Sequence, residues 1–249
     1  MYYTIHLAVI LFISTLCKAE EVKNSETEPW KDIQDKISDL WIHFLNGKPS
    51  LRDEEGNVYA GCDLKPNSNL GNEDLNITGQ ILFKQAYNKG KLEGIFLING
   101  FPIETNQTFR AIHIHAFGDL SNSCDSVGAH YNPIDVNHPN HPGDVGNFCT
   151  RDGKIQRRIT NLDATVFGPH SVIGRSVVVH QKEDDLGLGG NQASLENGNA
   201  GKRLACCVIG YSTKAIWEKS IKYFVSMRRS LRRANAKSAA QKSKIPTKV

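Results

Sequence analysis

Short apolar runs, each bounded by Gly, Asn, Asp or Pro, dominate residues 58–213. Most are rich in β-branched or aromatic side chains, as strands of a half-buried sheet are. The clearest runs are Ile81–Phe83, Gly94–Ile98, Ala111–His115, Ala164–Val166 and Ser176–His180. No long helical periodicity interrupts them, so the pattern predicts an all-β sandwich or barrel. Two long loops, 118–150 and 181–203, hold nearly all the residues capable of chemistry, and loops of this length are usually functional.

A different spacing precedes the predicted sheet. Trp30, Ile33, Ile37, Leu40 and Phe44 recur at intervals of three and four residues, the a/d pattern of an amphipathic helix within residues 20–57. A helix this short is marginal alone. It therefore packs either on the body of its own chain or in an oligomerisation bundle with copies of itself, and the sequence leaves both alternatives open.

The first residues carry an apolar run, Ile5–Leu16, of twelve residues. Spanning a bilayer needs about 20 residues, so this run is too short. Cys17 and Ala19 then supply small residues at the −3 and −1 positions of a cleavage site before Glu20. We therefore expect residues 1–19 to be a secretory signal peptide, with a buried apolar strand or helix as the alternative.

Composition and charge add a second feature, a basic C-terminus. The 249 residues are 39% hydrophobic and 22% charged, which excludes a wholly disordered or collagen-like chain. Residues 214–249 carry eleven Lys and Arg against one acid, so this tail is +10 and residues 1–213 are −6 of the overall +4. Trp217, Ile221, Phe224 and Leu231 continue a helical stripe into the tail, and from about Asn235 we expect disorder.

The basic tail predicts a polyanionic partner. Arg228, Arg229, Arg232 and Arg233 form two pairs four residues apart, which places them together on a helix. Such a patch suits heparan sulfate or a heparin-like polyanion, and for a secreted protein no nucleic acid partner is expected. The alternatives are a membrane-surface helix that buries Trp217, Ile221 and Phe224, or a solvated tail.

Secretion also favours disulfide bonds and glycosylation. After removal of Cys17 five cysteines remain, which are Cys62, Cys124, Cys149, Cys206 and Cys207. Because five is odd, at least one thiol is free or pairs with another chain. The sequons that begin at Asn76 and Asn106 predict two glycan sites.

The histidines carry the candidate chemistry. His113 and His115 lie two residues apart in a predicted strand, so both imidazoles point to one face, and His180 ends another strand. The loop adds three imidazoles and a carboxylate, from His130, His138, His141 and Asp144, a closed set that suits Zn²⁺. Imidazole-rich sites with more open geometry suit Cu²⁺. A lone His-X-His would be weak evidence, but seven ligands in ordered spacing predict a metal centre.

Two motifs resemble the copper/zinc superoxide dismutase family. Residues 111–119, AIHIHAFGD, resemble its copper-ligand strand, and residues 198–206, GNAGKRLAC, resemble its second signature. The resemblance covers about residues 58–212, and the leader, helix and basic tail add the layout of the secreted branch. It implies an eight-stranded Greek-key sandwich, a homo-oligomer (dimer or tetramer), and one copper and one zinc per subunit. The implied reaction converts superoxide to O₂ and H₂O₂ by Cu²⁺/Cu⁺ cycling.

The same resemblance assigns individual roles. It implies copper ligands at His113, His115, His130 and His180, and zinc ligands at His130, His138, His141 and Asp144. His130 belongs to both sets as a bridging imidazolate that also handles a proton. Asp184 matches a carboxylate that ties His113 to His138. Arg203 matches an active-site arginine that attracts and orients a small anion.

The resemblance further implies a disulfide between Cys124 and Cys206. Cys62 and Cys207 match extra cysteines of the secreted branch, although adjacent Cys206 and Cys207 also permit swapped pairing, and a buried free thiol is favoured for Cys149. Glu196 stands where many family members carry a steering lysine. A competing hypothesis is a β-sandwich binding module that keeps zinc for stability and has no redox role.

Overall fold

The computed structural model describes residues 30–37, 40, 51–71, 76–87, 90–104 and 106–242. Nine strands follow in chain order: β1 Asn57–Pro66, β2 Thr78–Ala86, β3 Leu92–Asn99, β4 Thr108–His115, β5 Asp144–Thr150, β6 Lys154–Leu162, β7 Ser176–His180, β8 Arg203–Val208 and β9 Gly210–Tyr211. The same part of the chain contains the helices α1 Gln192–Asn197 and α2 Lys214–Lys242 and a short 3-10 helix, Ser123–Asp125.

The strands form a nearly closed antiparallel barrel. Their order is β5-β4-β7-β8-β1-β2-β3-β6, with the short β9 beside β1, so the predicted all-β fold is confirmed. Alternate side chains of the strands fill the interior. Its largest fully buried members include Phe83, Phe96, Ile112 and Ile114. Because Ile112 and Ile114 point inward, His113 and His115 of the same strand lie on the outer face.

Three local expectations from the sequence are corrected. Residues 144–150 are strand β5 rather than loop, because they pair in register with β4. The second predicted loop contains helix α1, capped by the Asn191 side chain, which accepts a hydrogen bond from the Ser194 N–H. Ala164–Val166 is not a strand and makes only the bridge from Thr165 to Ser171. Its apolar side chains reflect burial in the core, not pairing in the sheet.

Helix α2 packs on the outside of the barrel. Trp217 lies in an apolar cluster with Tyr59, Leu82 and Ile95, and Ile221 packs against it. The expectation of disorder from about Asn235 is wrong as far as Lys242, where the helix ends, because Ala and Lys in this stretch favour helix. Burial of Trp217 on the barrel and of Phe224 within the protein also contradicts a membrane-surface helix that inserts these side chains.

The described N-terminal residues, 30–37 and 40, belong to a different unit of the chain from residues 51–242. Residues 30–37 are helical, and Trp30, Ile33, Ile37 and Leu40 are largely exposed. The predicted signal peptide and Phe44 lie outside the described residues. Along the part of the chain that the structure describes, none of the helices combines the length and apolar character needed to cross a bilayer.

Both disulfide bonds of the described residues have one cysteine on strand β8. Cys124 pairs with Cys206 and Cys62 pairs with Cys207, which is the pairing that the resemblance implies rather than the swapped one. Cys149 is a free thiol on β5, half-buried rather than fully buried.

Candidate metal centre

All seven predicted ligands meet on the outer face of β4 and β7, beneath the two long connections. One group contains His113, His115, His130 and His180, and the other contains His130, His138, His141 and Asp144. Within each group the candidate ligand atoms lie within 4.8 Å of one another. His130 belongs to both groups. The sequence spacing therefore folds into two adjoining sites that share one imidazole.

Strand geometry sets the first group. His113 and His115 point outward from β4, and β7 runs antiparallel beside it and ends at His180. The His115 Nε2 and His180 Nε2 atoms lie 3.3 Å apart. His115 Nδ1 donates to the carbonyl oxygen of Gly128 at 2.9 Å, which leaves Nε2 as its free ligand atom. Two free nitrogens that face each other at this distance suit a shared cation.

Asp144 organises the second group. Its Oδ1 accepts a hydrogen bond from His130 Nδ1 at 2.8 Å, and its Oδ2 lies 3.0 Å from His138 Nδ1 and 3.2 Å from His141 Nδ1. Burial alone raises the pKa of Asp144, but the hydrogen bond from His130 and the surrounding imidazoles lower it below its ordinary value. The carboxylate is therefore ionised and ready to bind a cation.

A second carboxylate, Asp184, joins the two groups from behind. His113 Nε2 donates to one of its oxygens and His138 Nε2 to the other, both at 2.8 Å. Asn147 holds the backbone of Asp184 through two hydrogen bonds of 2.8 Å. These contacts fix the tautomer of both imidazoles, so that each presents Nδ1 to its own group.

Burial lowers the pKa of His113, His115 and His180 and so keeps these three imidazoles neutral. It lowers the pKa of His113 and His115 well below the ordinary value, with nearby imidazoles adding to the effect. Burial likewise lowers the pKa of His180 to about 3. Neutral imidazole is the form that binds a metal ion.

An open cavity of about 750 Å³ gives access to the first group. It is lined by residues that include His115, His130, His180, Lys182, Glu196 and Arg203. The Arg203 guanidinium donates to the carbonyl oxygens of Cys124 at 2.9 Å and Gly128 at 2.7 Å. These bonds hold a positive charge at the rim of the cavity.

The sequence motifs did not single out Lys182, which lies two residues beyond His180 and reaches the same cavity. The spacing was the available signal, because residues two apart at a strand end share a face. Glu196 also lines the cavity, and its carboxylate accepts a hydrogen bond from Gln192 at 2.8 Å. Lys182 thus adds a positive charge to the cavity, which is also lined by the carboxylate of Glu196.

Comparison with known proteins agrees with this geometry. The sequence model of the copper/zinc superoxide dismutase family matches residues 77–209, more than half of the chain. The chain belongs to the copper/zinc superoxide dismutase family. Similar curated proteins are the extracellular superoxide dismutases [Cu-Zn] of Homo sapiens and Oryctolagus cuniculus. The human protein is 45% identical over 87% of this chain and 89% of its own length. The rabbit protein is 43% identical over 89% of this chain and 91% of its own.

Copper/zinc superoxide dismutases use one copper and one zinc, and the residues of this chain fit such a pair of ions. Four buried ring nitrogens lack a hydrogen-bond partner, namely Nδ1 of His113, Nε2 of His130, Nδ1 of His138 and Nδ1 of His141. Buried polar atoms without partners are costly, so native proteins seldom keep them. Each of the four belongs to a residue of one of the two groups, and one metal ion in each group would satisfy them all.

Proposed function

We propose that this protein is a secreted superoxide dismutase. The reaction is 2 O₂⁻ + 2 H⁺ → O₂ + H₂O₂. The observation that carries the proposal is the single imidazole of His130 shared by two four-residue groups, one of which opens to a cavity. Similarity to proteins named extracellular superoxide dismutases supports the extracellular location.

The two groups take different metals in this proposal. His113, His115, His130 and His180 hold copper, since an all-imidazole site beside a cavity suits a redox ion. His130, His138, His141 and Asp144 hold zinc, since three imidazoles and a carboxylate make a closed structural site. Copper, when bound, supplies the one-electron couple that accepts an electron from one superoxide and returns it to the next.

The protein's own residues handle the anion and the proton. Arg203 and Lys182 draw superoxide into the cavity and Arg203 orients it, because a guanidinium presents several N–H donors to a small anion. His130 Nδ1 lies on the side of Asp144 and the zinc group, so Nε2, on the other side of the ring, is the atom that would take up a proton and pass it to the departing peroxide. Asp184 keeps His113 and His138 in the tautomers that bind the metals.

The decisive experiment measures superoxide dismutation together with copper and zinc content on one purified sample. Fast turnover with about one copper and one zinc per chain supports the enzyme and its ligand sets. Zinc without copper, and no turnover after copper is supplied, would instead indicate a zinc-stabilised binding module. His113→Ala is the matched variant, because it removes a copper ligand and leaves the zinc set intact.

We further propose that the tail binds heparan sulfate. Arg228, Arg229, Arg232 and Arg233 are all exposed on α2, beyond the segment that Trp217 anchors to the barrel. Heparin chromatography of the wild type and of a variant with all four changed to alanine tests this. Elution of the variant at clearly lower salt supports it, and unchanged elution overturns it. Lys84→Ala, on the barrel, is the control for general loss of charge.

The exposed stripe on residues 30–40 supports a proposed homo-oligomer. Trp30, Ile37 and Leu40 are each more than half exposed, and a cluster of large exposed apolar side chains marks an interaction surface. Light scattering of the double variant Trp30→Ala/Ile37→Ala should report a smaller assembly than the wild type.

Glycans at Asn76 and Asn106 are also proposed, and both asparagines are exposed. Loss of mass on enzymatic deglycosylation, absent in Asn→Gln variants, tests them.

A further inference from the structure

The loop that follows β1 is hydrogen-bonded to residues 122–125, the segment whose carbonyl groups bind the Arg203 guanidinium. Ser68 N–H donates to Ser123 Oγ at 3.0 Å. The Asn69 side-chain amide donates to Asn122 O at 3.0 Å and to Asp125 Oδ2 at 2.9 Å. These contacts cross more than 50 residues of sequence, so they tie two remote loops together.

Asn67 adds hydrogen bonds from this loop to strand β8, which begins at Arg203. It is 5% exposed, and its side-chain amide donates to the carbonyl oxygen of Arg203 at 2.9 Å. Its backbone N–H donates to Leu204 O, also at 2.9 Å. The same amide lies 3.4 Å from Asp125 Oδ1. Asn67 therefore contacts both the backbone of Arg203 and the segment that binds its guanidinium.

That segment supplies the acceptors that fix the guanidinium. Arg203 Nη1 donates to Cys124 O at 2.9 Å and to Asp125 O at 3.3 Å. The Cys124–Cys206 disulfide also links this segment to β8. The asparagines thus act beside the disulfide, and neither of them lines the cavity.

We propose that Asn67 and Asn69 are positioning residues for Arg203, acting through the 122–125 segment. This inference rests on the proposed function of Arg203 as the anion-orienting group. Without the asparagines the carbonyl acceptors shift, the guanidinium loses its fixed orientation, and anion binding weakens. The metal ligands keep their own contacts, because none of them hydrogen-bonds to Asn67 or Asn69 among the described residues.

The test uses the metal-loaded proteins Asn67→Ala and Asn69→Ala, both without a change of charge. The first readout is the rate at which phenylglyoxal modifies Arg203, followed by peptide mass spectrometry. The second is the dissociation constant of azide, a small anion, followed by the copper absorption spectrum. Loss of one well-made hydrogen bond predicts roughly a fivefold rise in each.

Gln85→Ala is the matched control. Gln85 is a buried amide that donates to Gly90 O at 2.8 Å and accepts from Val166 N–H, far along the chain from Arg203. It should lose stability without a change in Arg203 reactivity or azide affinity. If the two asparagine variants behave like this control, with lower melting temperature but unchanged Arg203 reactivity and azide affinity, the inference is overturned.

The failure of the proposed function is separable from the failure of this inference. If the wild type with full copper and zinc neither binds azide nor dismutates superoxide, the function is wrong. The phenylglyoxal rate on metal-free protein still measures how Arg203 is held. Should Asn67→Ala not fold, Asn69→Ala serves alone, because its side chain makes only exposed contacts to the segment.

Discussion

His115 and Arg203 donate hydrogen bonds to the same acceptor, the carbonyl oxygen of Gly128, at 2.9 and 2.7 Å. One peptide group therefore fixes the tautomer of a proposed copper ligand and the direction of the proposed anion-binding guanidinium. Gly128 has φ +78°, and a Cβ on it would lie 2.6 Å from the Phe117 ring. Its backbone position thus depends on glycine.

Gly128→Ala should consequently impair catalysis. The added methyl group strains the backbone and displaces the shared carbonyl, so kcat/KM for superoxide is expected to fall roughly 10- to 100-fold. Gly168→Ala is the control, because Gly168 also has a positive φ, +68°, but nothing lies within 4 Å of its added Cβ. Equal activity in the two variants at full metal content would contradict the role given to the Gly128 carbonyl.

Asp184→Asn should weaken binding of both metals. The carboxylate accepts one hydrogen bond from His113 and one from His138, whereas an amide can accept on one side only. Outer contacts of this kind typically contribute 10- to 100-fold to metal affinity, roughly the loss expected here. Copper and zinc retained against a graded chelator measure it. Asp163→Asn, at an exposed ion pair with Lys91, should retain metal like the wild type.

The two groups of candidate ligands could be predicted from the sequence because most of them come together through local spacing. Alternation along a strand places His113 and His115 on one face whatever the rest of the fold does. The short spacing of His138, His141 and Asp144 likewise confines them to one turn of loop. His180 is a candidate because it ends a predicted strand, and the motif resemblance supplies the roles of Asp184 and Arg203.

Other features could not be predicted because they depend on tertiary contacts. Strand β5 contains Gly146 and Asn147, which disfavour strands locally, and it forms only because β4 offers a partner. Ala164 and Val166 look like strand residues because they are buried, yet their backbone turns. The hydrogen bonds of Asn67 and Asn69 join loops that lie more than 50 residues apart, and nothing in either loop alone predicts these contacts.

Asp53 should make stability depend on acid pH. It accepts hydrogen bonds from the backbone N–H of Asn57 and from the Tyr59 hydroxyl, at 2.8 and 2.7 Å. Burial raises the pKa of Asp53, but these hydrogen bonds together lower it below its ordinary 3.8. Because the folded pKa is depressed, the stabilisation is present above about pH 4 and is lost as the pH falls through the folded pKa.

Asp53→Asn should therefore cost roughly 1–3 kcal/mol at pH 7 and less at pH 3. Urea unfolding of metal-free protein at both pH values measures this, because acid release of metals then plays no part. The difference from wild type isolates Asp53 from the buried histidines, which titrate in both proteins. Asp63→Asn removes an exposed carboxylate, and its effect on the unfolding free energy should be the same at pH 7 and pH 3. If the unfolding free energies of Asp53→Asn and the wild type differ by the same amount at both pH values, the role of the Asp53 charge is refuted.

Trp217 should decide whether α2 is part of the folded body. Its side chain is 7% exposed and its ring centroid lies 6.3 Å from that of Tyr59. Replacing a buried tryptophan with alanine typically costs about 3–5 kcal/mol, so Trp217→Ala should destabilise the barrel itself and not only the helix. Tyr223→Ala, at an exposed position of the same helix, should change the unfolding free energy by less than about 1 kcal/mol. The same pair tests the rejected membrane-surface alternative, since an inserting helix would lose affinity for anionic vesicles on Trp217→Ala, whereas a docked helix would not. Wild-type stability in Trp217→Ala, together with loss of vesicle binding, would mean that the helix leaves the barrel in solution.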